Sequence, residues 1–214
     1  MMNLQIRIRY VHLLYTEKEL KVLLVSTKPD SYTLPQGLQP EIAQALKNVH
    51  NHEVRLRDHD RHFPGLINRV PNLMQEKNGQ HLAFDFYLLT KPDIKLNHLE
   101  DHSWFSLQEV TELNSDLSQL IGDTLRRLKE ELNYQPIEYH LLPRKFTIPE
   151  LRRLYELILD RKLDRANFFR KITVLDIIKA EGLKKKGKSP RAPMLYTFNE
   201  NYFQKVRKGL FKEF

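Results

Sequence analysis

The spacing of apolar residues changes once along this chain, and the change divides it into two parts. In the first part apolar and polar residues alternate, most clearly over His81–Thr90, and a period of two is typical of a β-strand. From Asp116 onward apolar residues recur at three- and four-residue steps, as on one face of an amphipathic helix. We therefore predict an α+β protein with two domains, over residues 1–134 and 135–214, the first including a connecting helix.

The net charge is divided at the same point. The 214 residues have a formal net charge of +8. Residues 1–134 contain 16 Lys and Arg and 18 Asp and Glu, whereas residues 135–214 contain 19 Lys and Arg and 9 Asp and Glu. The two parts therefore carry −2 and +10. A basic C-terminal part predicts contact with a polyanion, most commonly nucleic acid. The alternative is a solvated basic face that only keeps the protein in solution.

The composition excludes several classes of protein. The chain has no cysteine, which rules out disulfides, thiolate nucleophiles and Cys-ligated zinc or iron–sulfur sites. No apolar run approaches the roughly 18 residues that cross a bilayer, and the N-terminus lacks the order of a signal peptide. These features predict a cytoplasmic protein without a membrane partner.

The N-terminal part contains signals for several elements. Two β-rich segments, Leu4–Tyr15 and Leu20–Ser26, predict a β-hairpin. A helix is expected over Pro40–Val54, and residues 59–79, with their Pro, Gly and Asn, predict a loop with a short strand. After the aromatic strand at His81–Thr90, a further strand should turn into a helix at Ser106, which has Glu109 three residues later, the spacing of a capping box.

The C-terminal part contains two shorter helices with clear start signals. Thr147 and Glu150 have the spacing of another capping box, and Asp164 is the predicted N-cap of the following helix. In that following helix the pattern predicts apolar residues pointing inward and mostly basic or polar ones outward. The inward set is Phe168, Phe169, Ile172 and Leu175, and the outward set is Arg165, Asn167, Arg170, Lys171 and Thr173.

Two helices followed by a hairpin with a basic tip have the plan of a winged helix-turn-helix. In this motif the second helix enters the major groove, and the wing contacts phosphates or the minor groove. Taken singly, the helix face could be solvated surface and the hairpin a flexible loop. Arg144 and Lys145 are further candidates for phosphate contacts. The predicted DNA-binding residues are Arg165, Asn167, Arg170 and Lys171 on the helix, and Lys185, Lys186, Lys188 and Arg191 on the wing.

Two sets of motifs resemble known families. The Leu-Pro-Gln-Gly turn at Leu34–Gly37, the aromatic strand and the segment Ser103–Val110 resemble a Nudix domain. The segments Phe146–Glu156, Leu163–Ile172 and Arg191–Phe198 are similar to the winged helix of the Nudix-related transcriptional regulators of bacteria. This resemblance implies a Nudix-like mixed-sheet α/β/α domain followed by a winged helix-turn-helix domain. It also implies a homodimer, a palindromic double-stranded DNA operator and a small-molecule effector, a sugar or nucleotide derivative.

The sequence departs from the Nudix pattern where catalysis would occur. A catalytic Nudix helix resembles Arg-Glu-x-x-Glu-Glu-x-Gly, whose carboxylates hold Mg²⁺ or Mn²⁺. Since these carboxylates are missing, we expect no metal, no cofactor and no pyrophosphohydrolase activity. Histidines do not replace them, because His50 and His52 would diverge by roughly 200° on a helix. The residues at the corresponding positions are Lys47, Asn48, Asn51, His52 and Val54.

A pocket kept as a sensor should lie between the Leu34–Leu38 turn and the central strands. Because alternate residues of a strand face opposite sides of the sheet, the sequence does not decide which side chains line it. The candidate effector-binding residues are Arg7, Arg9, Gln36, Arg69, Asp85 and Phe105.

Two other functions stay open. A Nudix hydrolase acting on a nucleoside diphosphate derivative such as ADP-ribose needs the missing carboxylates. An interaction scaffold without nucleic acid leaves the basic C-terminal part without a role. Magnesium-dependent release of AMP from ADP-ribose would favour the hydrolase, and failure to retain any duplex at low salt would favour the scaffold.

Overall fold

The computed structural model of the chain describes residues 5–16, 18–28, 31–34, 62–67, 72–76, 79–92, 102–113, 115–183, 193–199 and 202. The predicted helix over Pro40–Val54 lies outside these ranges. The first sheet contains β1 (Gln5–Thr16), β2 (Glu19–Lys28), β3 (Ser31–Thr33), β4 (His62–Leu66), β5 (Asn72–Glu76), β6 (Gly79–Thr90) and β7 (His102–Ser106). The elements that follow are α1 (Leu107–Leu113), α2 (Ser115–Glu131), α3 (Ile137–Leu141), α4 (Ile148–Leu159), α5 (Arg165–Val174), β8 (Ile178–Leu183) and β9 (Met194–Phe198).

β1 and β6 pair in parallel at the centre of a mixed sheet, in which the described strands have the order β3-β2-β1-β6-β4. β2 returns antiparallel beside β1 through a turn at Lys18, which confirms the predicted hairpin. β7 also pairs with β2, and β5 also pairs with β6. The pair β4 and β5 corrects the expectation of one short strand within residues 59–79, because the Pro and Asn residues in and beside these strands are equally typical of loops.

Gly65 of β4 shows why the outer strand needs a residue without a side chain. It pairs with Tyr87 of β6, and a Cβ atom built on Gly65 would lie 2.0 Å from the Cζ atom of that ring. The tyrosine therefore crosses over the glycine, and any larger residue at position 65 would displace the ring.

Residues that alternate along the central strands form one apolar face. Val11 and Leu13 of β1 and Tyr87 and Leu89 of β6 are fully buried there. The connecting helix α2 contributes Leu117, Leu120, Ile121 and Leu128 to the same core, and the core continues into the C-terminal helices through Ile137, Leu141, Leu154 and Phe168. The two parts of the chain thus share a continuous core, and the boundary between residues 134 and 135 stays a prediction.

The predicted caps are present in the structure. Ser106 and Glu109 exchange hydrogen bonds of 2.6 and 3.2 Å at the start of α1. Thr147 and Glu150 do the same at α4, and Asp164 accepts a hydrogen bond from an amide of α5. An N-cap of this kind stabilises a helix by about 1 kcal/mol. The caps fix where the helices of the C-terminal part begin.

No pattern in the sequence predicted α3. Its five residues include Glu138 and His140, both of which are buried, so it has no polar outer face from which a helical period could be read. Ile137 and Leu141 pack into the common core. The helix lies between α2 and α4 and joins the sheet to the C-terminal elements.

Candidate nucleic-acid interface and sensor face

The C-terminal elements have the arrangement of a winged helix. α4 ends at Asp160, which has left-handed backbone geometry, and α5 begins five residues later. The ring of Phe168 meets that of Tyr155 edge-on, with centroids 5.4 Å apart, so α5 packs across α4. β8 and β9 form an antiparallel ladder, and Phe146 exchanges backbone hydrogen bonds of 3.0 and 2.8 Å with Tyr196. This bridge adds a third segment to the wing sheet.

Side chains of α4 fix the turn that leads into α5. The buried Glu156 accepts a hydrogen bond of 3.0 Å from the amide of Leu163. Arg152 donates a hydrogen bond of 2.8 Å to the carbonyl oxygen of the same residue and forms an ion pair with Glu156. Both backbone polar groups of Leu163 are therefore held by α4, which sets the direction in which α5 projects.

The outward face of α5 carries hydrogen-bond donors and positive charge. Arg165, Asn167 and Arg170 are exposed, as predicted, whereas Lys171 is half-buried. A guanidinium nitrogen of Arg170 donates to the side-chain oxygen of Asn167 at 3.0 Å. In the part of the chain that the structure describes, neither Arg165 nor Arg170 forms an ion pair with a carboxylate. The face thus holds cationic donors in a defined arrangement and without internal neutralisation.

The prediction that Phe169 points into the core is wrong. Phe168 is 3% exposed, whereas Phe169 is 42% exposed. Successive residues of a helix are separated by about 100°, so only one of two adjacent aromatics can point directly into the core. Ile172 lies one turn after Phe168 and is fully buried, which fixes the inward direction at Phe168. Phe169 instead lies on the flank of the outward face.

The predicted wing residues Lys185, Lys186, Lys188 and Arg191 lie outside the described residues. The strands on either side of them are described, and their pairing runs from Ile178 opposite Phe198 to Leu183 opposite Met194. The paired strands β8 and β9 are those of the hairpin that the sequence predicted after the two helices. The lysine-rich segment comes between these two strands in the sequence, and its contacts stay a prediction.

Arg144 and Lys145 line a basic cleft at the base of the wing sheet. The cleft has a volume of about 1100 Å³, and Lys91 and Lys179 also line it. The carboxylate of Glu181, which also lines the cleft, lies 3.3 Å from the ammonium of Lys145. The hydrogen bond from Lys145 holds the pKa of Glu181 below its usual value. Lys145 is thus partly neutralised within the protein, and Arg144 stays the better candidate for a phosphate contact.

A buried carboxyl group lies beneath the winged helix. Glu138 of α3 is 1% exposed and accepts a hydrogen bond of 2.6 Å from the hydroxyl of Tyr155. Burial raises its pKa, and hydrogen bonds from Tyr155 and Tyr202 partly oppose the rise. Its second oxygen has no hydrogen-bond partner among the described residues. Among the described residues, the side chains that hydrogen bond to Glu138 are therefore tyrosines.

Two of the predicted effector-binding residues meet in the central sheet. Arg9 and Asp85 are paired residues of the parallel strands β1 and β6. Their side chains form a two-point ion pair, with distances of 2.6 and 2.9 Å from Nε and Nη2 to the two carboxylate oxygens. The Asp85 side chain is fully buried and that of Arg9 is 17% exposed. The ion pair is thus buried within the sheet, and only part of the Arg9 side chain reaches solvent.

Of the other predicted effector-binding residues, the structure describes the side chain of Phe105. Phe105 of β7 is half-buried and pairs with Val22 of β2. Val22 in turn pairs with Leu13 of β1, which lies four residues after Arg9 on the same strand. At about 3.3 Å per residue, Phe105 and Arg9 are therefore roughly 13 Å apart along the direction of the strands. Only the backbone of Arg7 is described, and Gln36 and Arg69 lie outside the described residues.

Direct contacts join the sheet to the C-terminal helices. The hydroxyl of Tyr87, two residues after Asp85, hydrogen bonds to Glu131 at the end of α2. Tyr15 of β1 donates a hydrogen bond of 3.1 Å to the carbonyl oxygen of Glu150 in α4. Hydrogen bonds from the sheet thus reach the connecting helix α2 and the first helix of the C-terminal part, α4.

The described part of the chain holds no group of three His, Asp or Glu residues placed to bind a metal ion. The positions aligned with the catalytic Nudix helix, residues 47–54, lie outside it. None of the helices in the described ranges has the length and hydropathy needed to span a membrane.

Residues 138–198 match the family model of the NrtR DNA-binding winged helix domain. A curated relative, the ADPR responsive transcriptional repressor NtrR of Acinetobacter baylyi (strain ATCC 33305 / BD413 / ADP1), is 28% identical over 107 residues. The match covers 49% of this chain and 42% of that protein, so the chain matches less than half the length of this relative.

Two solved structures share the overall architecture. Shewanella oneidensis NrtR complexed with a 27mer DNA is 23% identical, with a TM-score of 0.68 and coverage of 93% of this chain and 95% of that chain. A MutT/nudix family protein from Enterococcus faecalis is 17% identical, with a TM-score of 0.60 and coverage of 92% and 88%. Together with the family match, these findings confirm the predicted fold and the resemblance to the Nudix-related transcriptional regulators.

Proposed function

We propose that this chain is a DNA-binding transcriptional regulator whose Nudix-like domain senses a small molecule and is catalytically inactive. The observation that carries the proposal is the exposed cationic face of α5, which lies in a segment matching a DNA-binding winged helix family. In the major groove, Arg recognises the O6 and N7 atoms of guanine and Asn the N6 and N7 groups of adenine. Arg170 and Asn167, already hydrogen bonded to each other, are suited to neighbouring base pairs.

The wing supplies affinity that does not depend on sequence. Lys185, Lys186, Lys188 and Arg191 bind phosphates or the minor groove, and Lys171 supports the helix contacts. In a homodimer the two copies of α5 contact half-sites about one helical turn or a multiple apart, so the operator is palindromic. Support for DNA binding comes from the solved structure of Shewanella oneidensis NrtR, which has a similar fold and is complexed with a 27mer DNA.

The effector we propose is ADP-ribose or a similar nucleoside diphosphate derivative. The curated relative is an ADPR responsive repressor, which supports this chemical class. A guanidinium suits a diphosphate, and Arg9 reaches solvent at one edge of its ion pair with Asp85. The binding residues that we propose are this pair together with Arg7, Gln36, Arg69 and Phe105.

The effector acts by preferring one arrangement of the dimer. It changes DNA affinity only by its difference in affinity for the two arrangements. The hydrogen bonds of Tyr87 with Glu131 and of Tyr15 with Glu150 connect the sheet to α2 and α4. Movement of the strand that carries Asp85 would therefore alter the position of the winged helix.

The competing function is hydrolysis of ADP-ribose. Asn48, Asn51 and His52 replace the three carboxylates that a catalytic helix uses to hold Mg²⁺, and an amide and imidazole surface does not neutralise that ion. We expect no AMP when the protein is incubated with ADP-ribose and Mg²⁺. Magnesium-dependent production of AMP would show that the Nudix-like domain is an enzyme and would contradict its proposed role as an inactive sensor.

The experiment that tests the function is selection of duplexes from a random pool by the full chain, repeated with ADP-ribose. We expect a palindromic consensus and a change in its affinity with the nucleotide. Ribose and AMP serve as matched small molecules that lack the diphosphate bridge. Recovery of no consensus would contradict the regulator.

A further inference from the structure

Phe169 is an exposed aromatic residue of α5, and exposed polar and cationic residues lie near it on that helix. Arg165 lies one turn before it and Thr173 one turn after it, and both are exposed. The hydroxyl of Thr173 donates a hydrogen bond of 2.8 Å to the carbonyl oxygen of Phe169. That hydroxyl proton is therefore used within the helix, and the strip formed by these two residues offers apolar surface rather than donors.

The charges beside this ring decide what kind of partner suits it. An apolar protein surface covering Phe169 would also have to desolvate Arg165 and Arg170, and burying unpaired cations is costly. A polyanion instead neutralises the two arginines while it covers the ring. The occupant with matching chemistry is therefore nucleic acid.

A phenylalanine ring forms no conventional hydrogen bond, so it does not recognise the donor and acceptor edges of bases. Within the major groove, the apolar group available to it is the 5-methyl group of thymine. Phe169 lies one residue before Arg170 and near the N-terminal half of α5, the half that approaches the bases in a helix-turn-helix.

We propose that Phe169 determines sequence specificity by binding the 5-methyl group of a thymine in each operator half-site. This inference rests on the proposed DNA-binding function. It adds to the recognised sequence a thymine that is selected by an apolar contact rather than by hydrogen bonds. The thymine lies within one or two base steps of the base pair contacted by Arg170, since the two residues are adjacent on the helix.

The test replaces the thymines of the selected duplex one at a time by deoxyuridine, which lacks only the methyl group. The wild-type chain should lose affinity about threefold to fivefold at one thymine of the half-site, the effect of removing one methyl-sized apolar contact. Phe169→Ala should bind the thymine duplex more weakly and show no further loss with deoxyuridine at that position. Phe169→Leu should keep part of the discrimination.

Val174→Ala is the matched control, because Val174 is an exposed apolar residue of the same helix, 78% exposed, at its C-terminal end. It should respond to deoxyuridine as the wild type does, and circular dichroism should show that both variants are folded. A deoxyuridine penalty that persists in Phe169→Ala would overturn the inference while leaving the regulator intact. Equal binding of wild type to all deoxyuridine duplexes would also overturn it, whereas recovery of no consensus duplex would overturn the proposed function itself.

Discussion

The central sheet and the helix α5 use arginine in opposite ways. In the sheet, Arg9 is directed into the protein and neutralised by the buried carboxylate of Asp85. On α5, Arg165 and Arg170 are exposed and form no ion pair with a carboxylate in the described ranges. The first arrangement holds strands together, and the second leaves positive charge for a partner outside the chain. Net charge alone does not distinguish these two roles, whereas burial and pairing do.

The largest expected effect comes from removing the buried partner in the sheet. Asp85→Asn leaves the guanidinium of Arg9 uncompensated, and breaking a buried pair in this way destabilises a protein by about 3–5 kcal/mol. Urea unfolding measures the loss. Asp123→Asn is the control, because Asp123 pairs with the exposed Arg126, and an exposed pair contributes about 1 kcal/mol or less. An equal loss of unfolding free energy in the two variants would show that the buried ion pair of the sheet contributes no more to stability than the exposed pair of α2 does.

The next effect concerns the exposed arginine of α5. Arg170→Ala should weaken binding to the selected duplex by about 1–3 kcal/mol and relax the preference at one base pair. Fluorescence anisotropy with specific and random duplexes measures both quantities. Arg126→Ala, an exposed arginine of α2, should bind DNA as the wild type does. An equal loss of affinity for specific and random DNA would mean that Arg170 contacts a phosphate rather than a base.

A smaller effect is expected from the wing. Lys185→Gln together with Lys186→Gln should weaken specific and random DNA alike, because phosphate contacts carry no sequence information. The slope of log affinity against log salt should become shallower by about 2, roughly one for each lost contact. Lys129→Gln removes a charge from α2 and should leave the slope unchanged. A slope that does not change in the double variant would mean that the wing does not touch DNA.

The smallest effect concerns Glu138, whose side-chain hydrogen bonds within the described part of the chain come from tyrosines. Burial raises the pKa of Glu138, so the folded state retains its proton to higher pH than the unfolded state does. The stabilisation is full below the usual value of 4.5 and is lost as pH rises through the raised pKa. The free energy of unfolding of Glu138→Gln should therefore fall less than that of the wild type over this range. Parallel pH profiles for the two proteins would show that Glu138 does not titrate in this way.

Local signals predicted much of the fold. Thr147 and Asp164 marked the starts of α4 and α5, because a cap depends on the residues beside it in the chain. α3 was missed because its polar residues Glu138 and His140 are buried by tertiary contacts. The exposure of Phe169 was missed for a related reason, since two adjacent apolar residues do not reveal which one faces the core.

The candidate sites were predictable only in part. The identities of the outward residues of α5 follow from the helical period, whereas the pairing of Arg9 with Asp85 depends on the register of β1 against β6. Residues 76 positions apart in the chain carry no local signal of that contact. The cleft that contains Arg144 also needs the three-dimensional structure, because Lys91 comes to it from the end of the first sheet.

The most direct test of the account is the affinity of the full chain for its selected duplex, compared with a scrambled duplex of the same length and composition. At physiological salt we expect the selected duplex to bind at least about 10³-fold more tightly, and this ratio to change when ADP-ribose is added. Equal affinity for the two duplexes, with and without ADP-ribose, would contradict the assignment of α5 as a sequence-reading helix under the control of a sensor.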